Sequence, residues 1–220
     1  QMYERCALKG KYLFGTEGEG LFMKADNISV GSKGSTFTLT AADGKSIQCI
    51  TKLLGRHNIL NIAGAAGLAY LLGLSLEEIA AAIERLKPVQ HRLELIEGAV
   101  TVIDDAFNSN PEGSKAALEV LKGFTGKRIV VTPGMVELGS EENELNRAFG
   151  AAMAGAADVA ILVGGAHIEP IREGLIEAGF DEKNIVRAKN LAEATELLKL
   201  HTETGAVVLF ENDLPDNYDE

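Results

Sequence analysis

The chain is poor in the residues from which metal sites and disulfide frameworks are built. Cys6 and Cys49 are its two cysteines, and they lack the short spacing of paired zinc ligands. Cys49 lies in an apolar strand pattern, where a buried and reduced thiol is expected, so the sequence favours a reducing cytoplasm. The four histidines are scattered without a His-x-x-x-His pair, at His57, His91, His167 and His201. We therefore expect no metal site made from these residues.

Basic residues and long apolar runs are also scarce. The chain has 21 Lys and Arg against 32 Asp and Glu, which gives a formal net charge of −11. A nucleic-acid partner is not expected, because binding to phosphates requires clustered Lys and Arg. No stretch approaches the roughly 18 to 20 apolar residues of a membrane-spanning helix, and the first residues lack the pattern of a signal peptide. The chain starts abruptly, so we expect it to continue a longer sequence.

The common phosphate-binding patterns are missing as well. The pattern Gly-x-x-x-x-Gly-Lys-Ser/Thr does not occur, so these 220 residues contain no P-loop. The glycine-rich segment 15–20 lies in a turn-rich β region without a following helix, which predicts a loop. Gly164 and Gly165 follow an apolar strand, where they could approach a ligand closely or could simply form a strand-to-helix turn.

The first part of the chain combines short strands with two helices. Turn residues separate five β segments, at residues 12–14, 20–23, 27–30, 36–40 and 47–51, which predict an antiparallel or mixed sheet. A helix rich in alanine and glycine follows to about Leu72, and Ser75 with Glu78 predicts a capping box for the next helix. The pattern ends at Lys87 and Pro88, so we predict two domains, residues 1–88 and 89–220.

Strands alternate with helices in the second part. The predicted strands are residues 93–97, 100–103, 128–132, 159–163, 184–187 and 207–210, and the predicted helices are residues 111–123, 141–155, 167–178 and 190–201. Alternation at this spacing requires crossover connections between the strands. The predicted fold class is therefore α/β, with a mostly parallel sheet that helices cover on both faces.

Residues 102–118 contain the most suggestive junction. An apolar strand ends in Asp104 and Asp105, and a polar turn then leads to a helix that starts near Pro111. Ligands of open α/β sheets bind outside the carboxyl ends of the strands, so we expect these carboxylates to face a crevice. The alternative is an ordinary connection in which Asn110 caps the helix and Pro111 is its first residue. That alternative explains Asn110 and Pro111 but not the paired aspartates, although a solvated loop could also carry such a pair.

Two further segments carry candidate binding residues. Asn58 and Asn61 stand three residues apart at a helix start, where both amides could contact a planar base, or where Asn58 could simply cap the helix. Arg92 lies near the start of the predicted second domain. Its guanidinium could bind a phosphate, or the residue could lie with Glu94 on a solvated strand face.

Four segments, residues 55–61, 91–94, 103–111 and 134–139, resemble motifs of the Mur ligase family in their order and spacing. This resemblance implies that residues 1–88 form the end of the family's central ATP-binding domain and residues 89–220 its C-terminal Rossmann-like domain. It also implies an ATP-dependent carbon–nitrogen ligase of peptidoglycan precursor synthesis. Such a ligase activates the carboxylate of a UDP-muramoyl-peptide as an acyl phosphate and joins it to an amino acid or to a dipeptide such as D-alanyl-D-alanine.

The resemblance further implies roles for single residues. Arg92 corresponds to the residue that stabilises the transferred phosphoryl group of ATP, and Asp105 to the ribose contact. Asn58 and Asn61 correspond to the adenine contacts. A weaker assignment gives binding of the incoming amino-acid component to Asn108, Asn110 and Glu137.

Parts of the family pattern are missing or changed. The UDP-sugar-binding domain, the P-loop and the carboxylates that hold Mg²⁺ are not in this sequence, so we expect the chain by itself to be inactive. Asn146 stands where many relatives carry histidine, and residues 209–218 differ from the Lys-Gly-Ser ending of typical dipeptide-adding members. A sister ligase such as a polyglutamate-adding enzyme, and a free-standing nucleotide-binding or interaction module, therefore stay open. Asp104 and the oligomeric state receive no assignment.

Overall fold

The computed structural model describes residues 7, 10–31, 33–107, 109–165 and 168–212. The chain divides into two compact units, Gln1–Lys87 and Pro88–Glu220. Within the described part of the chain, no helix combines the length and the apolar character that crossing a membrane requires.

The described residues of the first unit form one sheet. Its strands are β1 (Phe14–Gly15), β2 (Met23–Gly31), β3 (Gly34–Ala41) and β4 (Ser46–Thr51), paired in the order β1-β2-β3-β4. β1 runs parallel to β2, whereas β2, β3 and β4 pair antiparallel. The expectation of a mixed sheet is confirmed.

Strand β2 corrects two of the predicted boundaries. The sequence predicts separate strands at residues 20–23 and 27–30, whereas the structure has one strand. The register with β3 shifts between Asp26 and Ser29, and Asn27 adopts a φ of 50°. This bulge absorbs extra residues within the strand. Polar residues therefore interrupt the apolar pattern without ending the strand.

Two helices, α1 (Arg56–Leu71) and α2 (Leu76–Glu84), pack against this sheet. Successive side chains of a strand face opposite sides, so alternate residues of β2 and β3 point into the shared core. The largest buried members of that core are Met23, Phe37, Leu39, Ile59, Ile62, Leu76, Ile79 and Ile83. Gly67 of α1 lies so close to β2 that an added Cβ would come within 3.3 Å of Met23. The small residues of α1 thus permit close packing against the sheet.

The two helices start in different ways. Gly55 is the N-cap of α1 with a φ of 86°, a conformation that glycine adopts readily, so the alternative that Asn58 caps this helix is wrong. The predicted capping box of α2 is confirmed. The Glu78 N–H donates to Ser75 Oγ at 3.2 Å, and the Ser75 N–H donates to the Glu78 carboxylate at 2.9 Å.

The second unit is built on a six-stranded sheet of described residues. Its strands are β5 (Glu94–Ile96), β6 (Thr101–Asp105), β7 (Arg128–Thr132), β8 (Val159–Val163), β9 (Ile185–Ala188) and β10 (Val207–Glu211). They pair in the order β5-β6-β10-β7-β8-β9, and β5 with β6 is the antiparallel pair. The other neighbours are parallel, which confirms the mostly parallel α/β fold.

Helices lie on both faces of this sheet. They are α3 (Pro111–Lys122), α4 (Glu142–Ala154), α5 (Glu169–Glu177) and α6 (Leu191–His201). On one face, Ile129 of β7 and Ile161 of β8 pack against Ala194 of α6. Val130, the next residue of β7 after Ile129, is fully buried and points to the other face. On that face α3 contacts β10, and α4 packs against α3 and α5.

Candidate functional site

The carboxyl ends of β6, β10 and β7 lie side by side and carry the polar residues of the candidate site. Parallel pairing places Glu211 of β10 beside Asp105 of β6. The same strand pairs Phe210 with Val131, which brings Glu211 level with the end of β7. Two hydrogen-bonded clusters occupy this edge of the sheet, one centred on Asp105 and one on Glu211.

The Asp105 cluster joins the end of β6 to the segment that precedes β5. The Leu93 N–H donates to Asp105 Oδ1 at 3.0 Å, and His91 Nδ1 lies 2.8 Å from Asp104 Oδ2. The Phe107 N–H donates to the His91 carbonyl at 3.2 Å. Both aspartates therefore hold the same short segment, which gives Asp104 a structural role that the sequence did not reveal.

Arg92 lies at the centre of that segment, residues 91–93, which we call the arch. Its guanidinium carbon is 4.3 Å from the centre of the Phe107 ring, a cation–π contact. Arg92 precedes β5, so the alternative that places it with Glu94 on a strand face is wrong. Arg92 is exposed, and its guanidinium stays charged at every relevant pH. Such a cation, supported by an aromatic ring, is suited to bind a phosphate group.

Two residues of the arch adopt the left-handed backbone conformation. The φ angles are 60° at His91 and 48° at Leu93. This conformation is uncommon outside glycine and persists where surrounding contacts hold it. Here the two carboxylates at the end of β6 supply those contacts. The paired aspartates thus fix the backbone on both sides of Arg92.

The carboxyl group of Asp105 combines partial burial with one engaged oxygen. Burial raises the pKa of Asp105 to about 6, and the Asp104 charge acts in the same direction, whereas the Leu93 N–H and the Arg92 charge lower it. No described residue donates a hydrogen bond to Oδ2. A carboxylate oxygen without a donor partner can accept a hydrogen bond from a hydroxyl group of a ligand.

The Glu211 cluster was missed by the sequence reasoning. The Glu211 side chain is 1% exposed. The Ser109 hydroxyl is hydrogen-bonded to Oε1, and the Thr132 hydroxyl donates to Oε2 at 3.2 Å. Thr132 Oγ1 accepts the Gly134 N–H at 3.0 Å, and Asn212 Nδ2 donates to the Gly134 carbonyl at 2.6 Å. The cluster therefore ties together the segments that follow β6, β7 and β10.

One sequence signal could have revealed this cluster. Glu211 ends an otherwise apolar strand, residues 207–211, whose first three residues are fully buried. A carboxylate that continues such a run is either exposed at the strand end or held by specific partners. The structure shows the second case.

Burial raises the pKa of Glu211 to about 8, and the Asp105 charge adds to this increase, whereas the hydroxyl groups of Ser109 and Thr132 lower it. Glu211 is therefore mostly a neutral acid at pH 7. Adjacent carboxyl groups with raised pKa values, at the carboxyl ends of parallel strands, mark a candidate functional site.

The loop after β7 displays Glu137. Gly134 starts this loop with a φ of 88°, and an added Cβ would lie 2.7 Å from the Ile171 side chain, so glycine is required there. Buried Asn146 holds the loop: its Oδ1 accepts the Met135 N–H at 2.9 Å and its Nδ2 donates to the Met135 carbonyl at 2.8 Å. Glu137 is exposed with a φ of 64°. Asn146 thus has a structural role, and the role of Glu137 in substrate binding stays a prediction.

Residues 108–110 precede α3. Asn110 is the N-cap of this helix, because its Oδ1 accepts the Gly113 N–H at 2.9 Å and Pro111 follows as the first helical residue. The capping role is confirmed, and substrate binding by Asn110 stays a prediction. Asn108 lies outside the described residues. Ser109, between them, is half-buried and bonds to Glu211.

A cleft of about 200 Å³ lies between the start of α3 and one face of α4. Its walls are mostly apolar and include Met135, Leu145 and Phe149, while Lys115 contributes a cation and Glu112 a carboxylate. The cleft begins at Pro111, two residues after Ser109. It can therefore take a small apolar group beside the polar strand ends.

The predicted adenine contacts lie on α1 of the first unit. Asn58 Nδ2 donates to the Leu54 carbonyl at 2.8 Å, and Asn61 is exposed. Residues three apart on a helix share a face, so both amides can be presented together. Burial lowers the pKa of His57 at the start of the same helix. The role of the two asparagines stays a prediction.

Metal binding finds no support in the part of the chain that the structure describes. There, no group of three or more His, Cys, Asp and Glu side chains is arranged to hold an ion. These residues do not fit a Mg²⁺ site.

Comparisons with known proteins add independent findings. UDP-N-acetylmuramoyl-tripeptide–D-alanyl-D-alanine ligase of Escherichia coli is 38% identical over 143 residues, which are 64% of this chain and 31% of that protein. The Bacillus subtilis ligase of the same name is 26% identical over 189 residues, 84% of this chain and 40% of that protein. A crystal structure of MurF from Acinetobacter baumannii has a TM-score of 0.77 and 27% identity, and covers 91% of this chain and 43% of its own.

The chain thus spans between 31% and 43% of the length of these relatives. Family matches cover both of its units. The family described as "Mur ligase middle domain" matches residues 2–69, and the family described as "Mur ligase, glutamate ligase domain" matches residues 91–211. Because the second match alone covers more than half of the sequence, the chain belongs to the Mur ligase family.

Proposed function

We propose that this chain is part of an ATP-dependent amide-forming ligase of peptidoglycan precursor synthesis in the cytoplasm. The ligase would join D-alanyl-D-alanine, or another amino acid, to a UDP-muramoyl-peptide through an acyl phosphate. Residues 1–88 would belong to its ATP-binding domain and residues 89–220 would form its C-terminal ligase domain. The observation that carries this proposal is the cluster that holds Arg92 and Asp105 together at the carboxyl end of β6.

The proposed reaction needs activation because a carboxylate is a poor electrophile and an ammonium group is no nucleophile. ATP, when bound, supplies the phosphoryl group that turns the carboxylate into an acyl phosphate. Arg92 would stabilise the charge on that phosphoryl group, a task for which a preorganised cation is effective. Asp105 Oδ2 would accept a ribose hydroxyl, while Asn58 and Asn61 would contact the adenine.

The incoming amino component would bind beside the Glu211 cluster. The cleft at α3 and α4 suits small apolar side chains such as the methyl groups of alanine, and Lys115 offers a partner for a carboxylate. Asn108, Asn110 and Glu137 would complete this site. The names of the E. coli and B. subtilis relatives support D-alanyl-D-alanine as the component.

An assay of the protein translated from the complete reading frame tests the proposal. We expect phosphate release that requires ATP, Mg²⁺, UDP-muramoyl-tripeptide and D-alanyl-D-alanine together. D-glutamate and L-alanine serve as alternative amines, and the apolar cleft predicts that D-alanyl-D-alanine is used faster than D-glutamate. Folded protein that binds ADP but releases no phosphate with any amine would support a nucleotide-binding module instead.

A further inference from the structure

Glu211 is buried, titratable and not used by the chemistry described so far. Of its two hydroxyl partners among the described residues, Thr132 is fully buried, whereas Ser109, which bonds to Glu211 Oε1, is half-buried. Ser109 stands between Asn108 and Asn110, two residues proposed to meet the incoming amino component. A pair made of a buried acid and a more accessible hydroxyl can move a proton between the protein and a ligand.

The hydrogen bonds of Thr132 indicate which oxygen of the Glu211 carboxyl group exchanges a proton. Thr132 Oγ1 accepts the Gly134 N–H at 3.0 Å and lies 3.2 Å from Glu211 Oε2. The Thr132 hydroxyl, which can donate one proton while it accepts from Gly134, donates to Glu211 Oε2. With that donor in place, the contact between Ser109 and Glu211 Oε1 is the one that changes with the protonation of Glu211. Ser109 donates when Glu211 is ionised, and it accepts when Glu211 is neutral.

We propose that Ser109 and Glu211 form a proton relay that deprotonates the incoming amine. The proposal rests on the proposed function. The relay starts from the ionised form of Glu211, which grows as pH approaches its pKa of about 8. An N–H bond of the ammonium group breaks, and its proton goes to Ser109 Oγ while the Ser109 proton passes to Glu211 Oε1. Ser109 is unchanged, Glu211 becomes a neutral acid, and the amine gains a free electron pair.

The remaining bonds follow from this step. The amine attacks the carbonyl carbon of the acyl phosphate, and the C–N bond forms as the C–O bond to phosphate breaks. Phosphate leaves with the electron pair and takes up the second proton of the nitrogen. Glu211 then returns its proton to solvent along the same path through Ser109, which completes the cycle.

The charges around Glu211 favour this role. Its pKa of about 8 is close to the roughly 7.7 to 8.0 of an α-amino group, so the transfer is nearly balanced in free energy. Among the described residues, Asp105 is the ionisable group that acts on Glu211, and its charge strengthens Glu211 as a proton acceptor. Ser109 and Thr132 contribute neutral hydroxyls.

Two nucleophiles that attack the acyl phosphate distinguish loss of the relay from loss of the activation step. Both are tested with the protein of the complete reading frame. D-alanyl-D-alanine must lose a proton before it attacks, whereas hydroxylamine is mostly unprotonated at pH 7 and traps the acyl phosphate as a hydroxamate. For Glu211→Gln and Ser109→Ala, we expect amide formation to fall by roughly 10²-fold or more, as for loss of a general base. Hydroxamate formation should stay within about twofold of the unmodified protein.

Two matched variants complete the design. Ser109→Thr keeps a hydroxyl and should retain amide formation within about tenfold, and Glu203→Gln, an exposed change, should behave as the unmodified protein. Equal losses of amide and hydroxamate in Glu211→Gln would show a structural role and overturn the relay, as would unchanged amide formation in Ser109→Ala. Absence of both products in the unmodified protein would instead reject the proposed function.

Discussion

Asp105 and Glu211 are paired carboxyl groups on neighbouring parallel strands, yet their surroundings differ in kind. Asp105 is half-buried and receives a backbone N–H beside the cation of Arg92. Glu211 is fully buried and is hydrogen-bonded to the hydroxyl groups of Ser109 and Thr132. Burial raises the pKa of both, to about 6 for Asp105 and to about 8 for Glu211. At pH 7 the first is therefore mostly charged and the second mostly neutral.

The comparison shows that burial and hydrogen-bonding partners together set the chemistry of a strand-end carboxyl group. A cation and an N–H favour the charged form of Asp105, which suits it to accept hydrogen bonds from a ligand. Glu211 lacks a cationic neighbour among the described residues and faces the negative charge of Asp105. The cost of charging Glu211 makes it a group that can exchange a proton near neutral pH.

The largest expected effect is on the stability of the second unit. The pKa of Glu211 rises from 4.5, its ordinary value, to about 8 in the folded state. Between these values the folded state holds a proton that the unfolded state has lost, so stability falls as pH rises through this window, by up to about 4 kcal/mol at pH 8. Glu211→Gln keeps a neutral donor and acceptor in place and should remove this loss.

Thermal unfolding of the chain at pH 5 and pH 8 measures this effect. We expect Glu211→Gln to unfold several degrees higher than the unmodified chain at pH 8 and at about the same temperature at pH 5. Glu203→Gln, on an exposed residue, should show no such pH-dependent difference. If Glu211→Gln were destabilising at pH 8, the side chain would be ionised in the folded state and the contrast with Asp105 would fail.

A smaller but still large effect concerns Arg92. In the protein of the complete reading frame, Arg92→Ala should lower the turnover rate by roughly 10²- to 10³-fold, the typical effect of losing one preorganised charge-stabilising group. The fold should persist because the side chain is exposed. Steady-state kinetics with ATP measure this change, and Arg85→Ala, also exposed, is the control. Unchanged turnover would remove Arg92 and its partner Asp105 from the proposed nucleotide site.

The coupling between the two carboxyl groups can be measured directly. Asp105→Asn keeps an acceptor for the Leu93 N–H but removes the charge that raises the pKa of Glu211. We expect the pKa of Glu211 to fall by about one unit or less, because burial is the larger cause. A ¹³C NMR titration of labelled glutamate carboxyl groups follows this shift. An unchanged pKa would mean that the two clusters are electrostatically independent.

The sequence predicts the second sheet better than it predicts the site. Continuous apolar runs give β7 and β8 their observed bounds, since strands buried on both faces need such runs. Glu211 was missed for a topological reason. β10, the last strand, inserts between β6 and β7, and this order brings Glu211 to Asp105 and Thr132 across about a hundred residues of sequence. Periodicity within a strand carries no information about its neighbours.

The arch was missed for a different reason. The left-handed conformations of His91 and Leu93 are not encoded by their residue types, because glycine or asparagine usually marks such positions. They depend on contacts with Asp104 and Asp105, which lie more than ten residues away. The motif that identified Arg92 and Asp105 therefore indicated their importance but not the geometry that joins them.

The smallest expected effect separates the two aspartates. Asp104→Ala removes the partner of His91, a half-exposed contact, and should cost less than about 1 kcal/mol of stability. Asp105→Ala removes the acceptor of the Leu93 N–H itself. Amide hydrogen exchange should therefore quicken most at Leu93 in Asp105→Ala. In Asp104→Ala it should quicken most at Ala106, whose N–H donates to Asp104 Oδ1 at 3.3 Å, and at Phe107, whose N–H donates to the His91 carbonyl.

Asp181→Ala, in an exposed turn before β9, should leave the exchange rates of these amides unchanged and serves as the control. A uniform increase in exchange across β6 in both variants would mean that the aspartates stabilise the strand as a whole. Selective effects would mean that each carboxylate fixes one side of the arch. Since Arg92 lies between those two sides, the same experiment determines whether its position depends on one aspartate or on both.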